Sequence, residues 1–386
     1  MTAFPETFQS LLAESVGPAR AQLVLQALEQ APGTAIRLNP QKLRTCPFPE
    51  AQPVPWSSYG YILKERPVFT LDPLLHAGCY YVQDSSAQFV GHRFRQVTGE
   101  LAPGAAVLDL CAAPGGKTTD LAATLRERFG DRFSLLANEV MRERCATLWS
   151  NVESWGDERV GVISRDPSAL GGDPVFDAIL ADVPCSGEGM FRKDPQALAE
   201  WSEKTVAFCC ARSRRILRDI WPTLKPGGIL VFSTCTFNHL ENDDTVEWAA
   251  ATLGADIIPP QEEEASVIPT RFGSLLLPGL VPGEGQYVAA LRKHGEPDTL
   301  YGRADVFSLF RARCIRQPEA PAPLVDVDRD TALRYLHGDA VVLPADAPGG
   351  AVTIAYQGHP LGPGKNLGKR CNNLYPKHKR IRMDIR

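Results

Sequence analysis

The chain has 386 residues, 44% of them hydrophobic and 22% charged, with a formal net charge of −4. That composition builds a globular core, and the length calls for two or three domains. No apolar run reaches the ~18 residues of a membrane span, and MTAFPETFQSLLAES lacks the basic and apolar blocks of a signal peptide, so a cytoplasmic location is expected.

Residues 1–100 open with an amphipathic helix pattern, FQSLLAESVGPARAQLVLQAL, followed by the proline-rich extended segment CPFPEAQPVPWSSYGYILKERPVF. This predicts a small α+β module. From 101 to 295 the apolar runs AAVLDL, FSLLAN, VGVIS, FDAILAD, GILVFST and QYVAALR alternate with helical stretches. Alternation of this kind predicts an α/β domain, a Rossmann-like parallel sheet with helices on both faces. Ligands of such sheets sit at the carboxyl ends of the strands. Residues 296–325 have the charge and proline content of a linker. Residues 326–386 predict a small β-rich domain with strands at AVVLPA and AVTIAY. Its tail carries Lys365, Lys369, Arg370, Lys377, Lys379, Arg380, Arg382 and Arg386 against the single acid Asp384. Interleaved with Asn372, Asn373 and Tyr375, this cluster suits contact with phosphates.

The ten cysteines include no C-x-x-C pair. No metal site is therefore expected, and free thiols are the default in a reducing compartment. What matters is which cysteine stands where chemistry needs a thiolate.

The first buried strand runs into Cys111-Ala112-Ala113-Pro114-Gly115-Gly116-Lys117, which opens a helix. Small residues there let backbone N–H groups approach a ligand, and the helix N-terminus favours negative charge. A Walker loop fails because Cys111 holds the first glycine position, and G-x-G-x-x-G is absent. S-adenosylmethionine fits what remains. Glu139 ends the second strand, placed to accept from ribose hydroxyls. Asp166 ends the third, placed to accept from the adenine amine.

Asp182-Val183-Pro184-Cys185 follows the fourth strand and Ser233-Thr234-Cys235 the fifth. In a doubly wound sheet these ends are neighbours, so both thiols can face one pocket beside the cofactor. A thiolate added to C6 of a pyrimidine turns C5 into a carbon nucleophile able to take a sulfonium methyl. Asp182 is suited to handle the proton at N3, and a second acid/base group must assist release. Lys193 is a candidate source of positive field for the thiolate.

At these residues the chain resembles the NSUN-type family of RNA cytosine-C5 methyltransferases, and within it the bacterial ribosomal-RNA enzymes of the RsmF type. CAAPGGKTT, ANEV with Arg144 downstream, DVPCSGEGMFRKDP, FSTCTFNHLEND and PGEGQYVAALRK carry the resemblance. It implies Cys235 as nucleophile and Cys185 as the residue aiding product release. It also implies cofactor contacts from the Cys111–Lys117 loop, Glu139, Arg144, Asp166 and Asp182. The first module is expected to be RNA-recognition-motif-like and the last PUA-like, with RNA as partner, no membrane or metal, and a monomeric chain. Small-subunit ribosomal RNA is the leading target. Transfer RNA with the same chemistry, and a non-catalytic RNA-binding scaffold, are the alternatives. A DNA methyltransferase is disfavoured because its attacking cysteine belongs in the Pro-Cys motif.

Overall fold

A computed structural model describes residues 4–261, 265–296, 305–315 and 322–385. The opening amphipathic stretch forms two helices, α1 (Glu6–Val16) and α2 (Pro18–Leu28). Gly17 breaks it at φ 84, and Pro18 takes the first helical position, where a missing N–H costs nothing. Phe8, Leu12, Val16 and Val24 turn inward onto the central domain. Phe8 lies edge-on to Phe191 at 5.2 Å and to Trp201 at 5.3 Å. Burying a side chain of that size contributes about 2 kcal/mol.

The first module's sheet contains β1 (Thr34–Leu38), β2 (Gln52–Pro53), β3 (Gly60–Leu63) and β4 (Tyr80–Val82), with the short helix α3 (Pro73–His76) before β4. Its order is β2-β3-β1-β4, antiparallel at every pair. Turns rather than a helix connect β1 to β2. Arg37 of β1 is buried and crosses to the central domain. It donates to Gln83 Oε1 at 2.8 Å, to the Gly116 carbonyl at 3.0 Å and to Thr119 Oγ1 at 2.6 Å, and lies 4.8 Å over the Trp155 ring.

Helix α4 (Ser85–Val97), capped by Asp84, sends Phe89, Val90 and Phe94 into the core of the central domain. It therefore packs beyond the module that the sequence pattern closes at residue 100. Then come β5 (Ala105–Asp109), α5 (Gly116–Phe129), β6 (Phe133–Asn138), α6 (Arg142–Trp155), β7 (Val160–Ile163) and β8 (Phe176–Asp182). Helices α7 (Pro195–Glu200) and α8 (Glu203–Ile220) precede β9 (Leu224–Thr234). After α9 (Asp243–Leu253) follow β10 (Ala255–Ile258), β11 (Ile268–Pro269), β12 (Gly273–Leu276) and β13 (Gln286–Lys293).

All six predicted runs are strands of one sheet, but the sheet is mixed. Strands β9-β8-β5-β6-β7 are parallel, whereas β13 pairs antiparallel with β9, Tyr287 facing Thr234. No crossover helix stands between β12 and β13 to return the chain parallel. Strand order reverses between β5 and β8, which sets the ligand crevice at their carboxyl ends.

Within the predicted linker, residues 305–315 are structured. Helix α10 (Val306–Phe310) buries Val306 and stacks Phe310 on Phe176 at 5.7 Å. Strand β14 (Arg313–Cys314) then extends the central sheet beside β7. A Cβ on Gly161 would lie 2.7 Å from Phe307, so the glycine makes room for this docking.

The last domain contains β15 (Leu324–Asp326), α11 (Arg329–His337), β16 (Gly350–Tyr356), β17 (His359–Asn366) and β18 (Cys371–Asn373), its strands in sequential order. AVTIAY is a strand as predicted. AVVLPA makes only an isolated bridge from Val341 to Cys371, because Pro344 interrupts it. Ala332, Leu333, Tyr335 and Leu336 of α11 share one hydrophobic core with Ile36, Leu38, Leu74 and Tyr80 of the first module. The first module's sheet and the last domain are thus a single packed body. Among the described residues no helix is long and apolar enough to cross a membrane, and no cluster of ligating side chains could hold a metal.

Candidate active site

The glycine loop is stitched to three neighbouring strand ends. Leu110 N–H donates to the Leu180 carbonyl at 2.9 Å and Ala112 N–H to the Asn138 carbonyl at 2.8 Å. The Asn138 amide donates to the carbonyls of Leu110 and Arg165, both at 3.0 Å. Gly115 caps α5 at φ 111, a conformation only glycine adopts freely. Its neighbour Gly116 leaves just enough room for Tyr81, whose ring would come within 3.1 Å of an added Cβ.

Asp109, the last residue of β5, is fully buried. One carboxylate oxygen accepts from Thr118 Oγ1 at 2.6 Å, and the other is buried with no partner. Burial pushes its carboxyl up to about 7. A buried acid with an unfilled acceptor beside a helix N-terminus suits an amino-acid ligand, whose ammonium and carboxylate match the two features. S-adenosylmethionine carries both, so the residues present fit it.

Glu139 is 3% exposed and accepts from Met141 N–H at 2.9 Å. Arg144 sits 3.5 Å from its other oxygen and donates to the Ala113 carbonyl at 2.8 Å, joining Glu139 to the glycine loop. Asp166 stands apart from these. Its carboxylate caps the short turn after β7, accepting from Ser168 N–H and Oγ at 3.1 and 2.8 Å, and faces Arg215 of α8 at 3.4 Å.

The two cysteines, fifty positions apart, meet: Cys185 Sγ lies 3.3 Å from Cys235 Sγ. The hydrogen bond to Cys235, followed by burial, raises the Cys185 thiol well above its ordinary range. Either sulfur can donate in this contact, and the shift of Cys185 makes it the harder of the two to picture as a thiolate nucleophile. Asp182 accepts from Lys117 Nζ at 2.9 Å and from Ser233 Oγ at 2.6 Å, spanning the point where strand order reverses.

Lys193 does not reach the thiols as their counter-charge. Its ammonium lies 3.6 Å from both Asp84 and Glu284. Lys117, rather than Lys193, is a cation in the field of Cys235. Burial lowers its pKa, but the charge of Asp182 and its hydrogen bond outweigh that effect and the net shift is upward. It stands in the glycine loop, so its spacing in sequence marks it for the cofactor rather than for the thiol.

Two buried acids absent from the sequence reading lock the cysteine loops together. Glu188 accepts from Phe237 N–H at 2.6 Å, Asn238 Nδ2 at 2.9 Å and Trp201 Nε1 at 3.1 Å. Glu241 accepts from the N–H and hydroxyl of Ser186 and from Asn238 Nδ2. Gly189 N–H donates to the Cys235 carbonyl at 2.8 Å, an approach that a Cβ on Gly189 would obstruct. An acid inside each cysteine motif was the available signal, but sequence alone reads it as solvated.

The basic tail divides. Lys379 pairs with Glu153 of α6, Arg380 packs beneath Gly338, and Asn373 donates to the carbonyls of Tyr335 and Asp339. Lys365, Lys369, Arg370, Lys377 and Arg382 remain exposed. Arg386 lies outside the described residues.

Comparison with known proteins follows the same division. Residues 97–292 match the family model described as 16S rRNA methyltransferase RsmB/F. Residues 3–85 match the N-terminal domain of 16S rRNA methyltransferase RsmF, and 322–381 the methyltransferase RsmF PUA domain. Ribosomal RNA small subunit methyltransferase F of Pectobacterium atrosepticum is 33% identical over 64% of this chain and 52% of its own length. The protein of that name from Cronobacter sakazakii is 32% identical over 77% and 64%. The chain thus spans about half to two-thirds of the length of these relatives. Among solved structures, a methyltransferase homolog from Pyrococcus horikoshii has a TM-score of 0.62 at 25% identity, covering 75% of this chain and 96% of that one. NSun6 from the same organism has a TM-score of 0.61 at 17% identity, covering 76% and 99%, a likeness of fold alone. With its central domain matched from end to end and both flanking modules in place, the chain belongs to the RsmB/F family of 16S rRNA methyltransferases.

Proposed function

We propose that this chain is an S-adenosylmethionine-dependent RNA (cytosine-C5) methyltransferase acting on small-subunit ribosomal RNA through a covalent adduct with Cys235. The observation that carries the reading is the 3.3 Å contact between Cys185 and Cys235 beside the Lys117–Asp182 pair. The names of the family and of its curated relatives support ribosomal RNA as the target.

The cofactor would be held by the Cys111–Lys117 loop, Asp109, Glu139 and Arg144, and supplies an electrophilic methyl group when bound. Asp166 is the weaker member of the proposed set, since its carboxylate already serves Ser168 and Arg215. Cys235 adds to C6 of the cytosine, its sulfur gaining the bond while the ring electrons move toward C5 and N3. Lys117 favours the thiolate electrostatically, and we assign the proton balance at N3 to Asp182, which is hydrogen-bonded to Lys117. C5 then takes the methyl group. Loss of the C5 proton to solvent water or hydroxide expels Cys235 as the C6–S bond breaks, and the S–H of Cys185 stabilises the departing thiolate by hydrogen bonding.

The test is digestion of small-subunit ribosomal RNA after incubation with the purified chain and methyl-labelled cofactor. Label recovered as 5-methylcytidine is the expected outcome. Label on another nucleoside, or recovered from transfer RNA alone, overturns the proposal. Bisulfite sequencing of RNA from cells with and without the gene locates the modified position.

A further inference from the structure

Helix α8 leaves the Pro-Cys loop through Trp201, whose indole N–H is bound to the same Glu188 that holds the Thr-Cys loop. Its 18 residues extend about 27 Å along the face of the sheet that carries α1 and α9. Four arginines crowd into seven positions, at 212, 214, 215 and 218. Like charges at such spacing oppose helix formation, so a helix keeps them when something else neutralises them.

Arg215 has acids, Asp166 at 3.4 Å and Asp219 at 3.3 Å. The other three have none within ion-pair distance among the described residues. Arg212 stacks on Phe208 at 5.3 Å, while Arg214 and Arg218 flank Trp248 of α9 at 5.6 and 5.4 Å. The Nε atoms of Arg212 and Arg214 are buried without a hydrogen-bond partner. Of the acids of α9, Asp243 accepts from Tyr287 and Thr270, Asp244 lies 3.9 Å from His239, and Glu247 pairs with Arg271. Lys204 adds a further cation at the catalytic end, next to Phe208, which is 63% exposed.

We infer that the α8–α9 face, with Lys204, Phe208, Arg212, Arg214, Arg218 and Trp248, is a second RNA-binding surface that carries the substrate backbone away from the cysteine pair. This rests on the proposed RNA substrate. With Nε of Arg212 and Arg214 buried and Arg212 Nη2 in contact with Cys209 Sγ at 3.6 Å, the outer η-nitrogens of these ring-held guanidinium groups are what a phosphate can meet. An exposed ring between cations is the arrangement that stacks unpaired bases. The site is distinct from the basic tail, which belongs to the body formed by the first module's sheet and the last domain.

The experiment uses the full chain, the triple variant Arg212→Gln/Arg214→Gln/Arg218→Gln and the triple Arg→Lys variant at the same positions. Binding to an unmodified small-subunit ribosomal RNA transcript is measured from 50 to 300 mM KCl. Removing three phosphate contacts should make the salt dependence shallower by about 2 in the log–log slope and weaken affinity about tenfold or more. The Lys variant should recover the slope, and both variants should bind cofactor as the unaltered chain does. An unchanged slope in the Gln variant overturns the inference, as does a Lys variant whose slope stays as shallow as that of the Gln variant. A loss seen with intact small subunits but not with naked RNA assigns the surface to a protein partner and overturns it too. If the unaltered chain itself fails to bind or methylate RNA, the proposed function falls, a result recognisably different from loss in the variants alone.

Discussion

The carboxyl end of the central sheet and the basic tail both look like functional clusters, yet they are built in opposite ways. At the sheet, Cys185 and Cys235 are fifty residues apart in sequence and 3.3 Å apart in space. In the tail, seven described cations stand within eighteen positions and do not converge: Lys379 is spent on Glu153, and Arg380 on packing against Gly338. Parallel strands deliver their last residues to one place whatever lies between them. Short antiparallel strands and turns send successive side chains to opposite faces, so crowding in sequence does not become crowding in space.

The sharpest way to break this contrast is at the sulfur atoms. Cys235→Ser should reduce methyl transfer by about a thousandfold or more, roughly 4 kcal/mol of barrier, in single-turnover assays. Cofactor affinity should stay within about threefold. An active serine variant would remove covalent catalysis by this thiol. Cys185→Ala should slow turnover about a hundredfold and accumulate an RNA adduct that survives a denaturing gel, because the departing thiolate loses its hydrogen-bond donor. A variant that turns over slowly with no trapped adduct would take Cys185 out of the release step.

Lys117→Met should move the pH–rate profile of adduct formation to higher pH, costing about tenfold at neutrality for each unit moved. A profile that stays in place would confine Lys117 to the cofactor. The buried struts give a smaller effect, read in stability. Burial raises Glu241 from an ordinary 4.5 to about 7, so the folded chain binds that proton more tightly than the unfolded one. Its contribution is complete below pH 4.5 and disappears as the pH rises through 7. Glu241→Gln should flatten this decline in denaturant titrations between pH 4.5 and 7, whereas an unaltered slope would mean that Ser186 and Asn238 already hold the carboxylate ionised. The smallest effect belongs to the tail. Lys379→Met should destabilise the chain by less than about 1 kcal/mol and leave the salt dependence of RNA binding unchanged, while the exposed Lys377→Met reduces it. Equal effects would erase the division drawn within the tail.

The central strands were legible because parallel strands buried on both faces are continuous apolar runs, and AAVLDL, FDAILAD and GILVFST leave little choice. The cysteine and glycine motifs were legible for the same reason, since each follows such a run. Antiparallel pairing of β13 was not, because its apolar run carries no mark of direction. Helix α10 and strand β14 were hidden in a charged, proline-containing stretch, where Val306 and Phe310 are too few to show a period. Lys193 drew attention by its place in the Pro-Cys motif, but the counter-charges that claim it, Asp84 and Glu284, come from distant parts of the chain. Glu188 and Glu241 were unreadable as struts because a carboxylate's burial depends on donors that only the folded loops assemble.

Arg37 gives the molecule a border with no seam. Its guanidinium ends on the carbonyl of Gly116 and the hydroxyl of Thr119, in the opening turn of the helix that would receive the cofactor's carboxylate. Excising the catalytic core would remove the arginine that ties the opening turn of α5 to the first module and uncover Trp155. Grafting a relative's N-terminal module onto this core would succeed only if the landing site of that arginine travelled with it. The first module is therefore part of the framework that holds the opening turn of α5 in place.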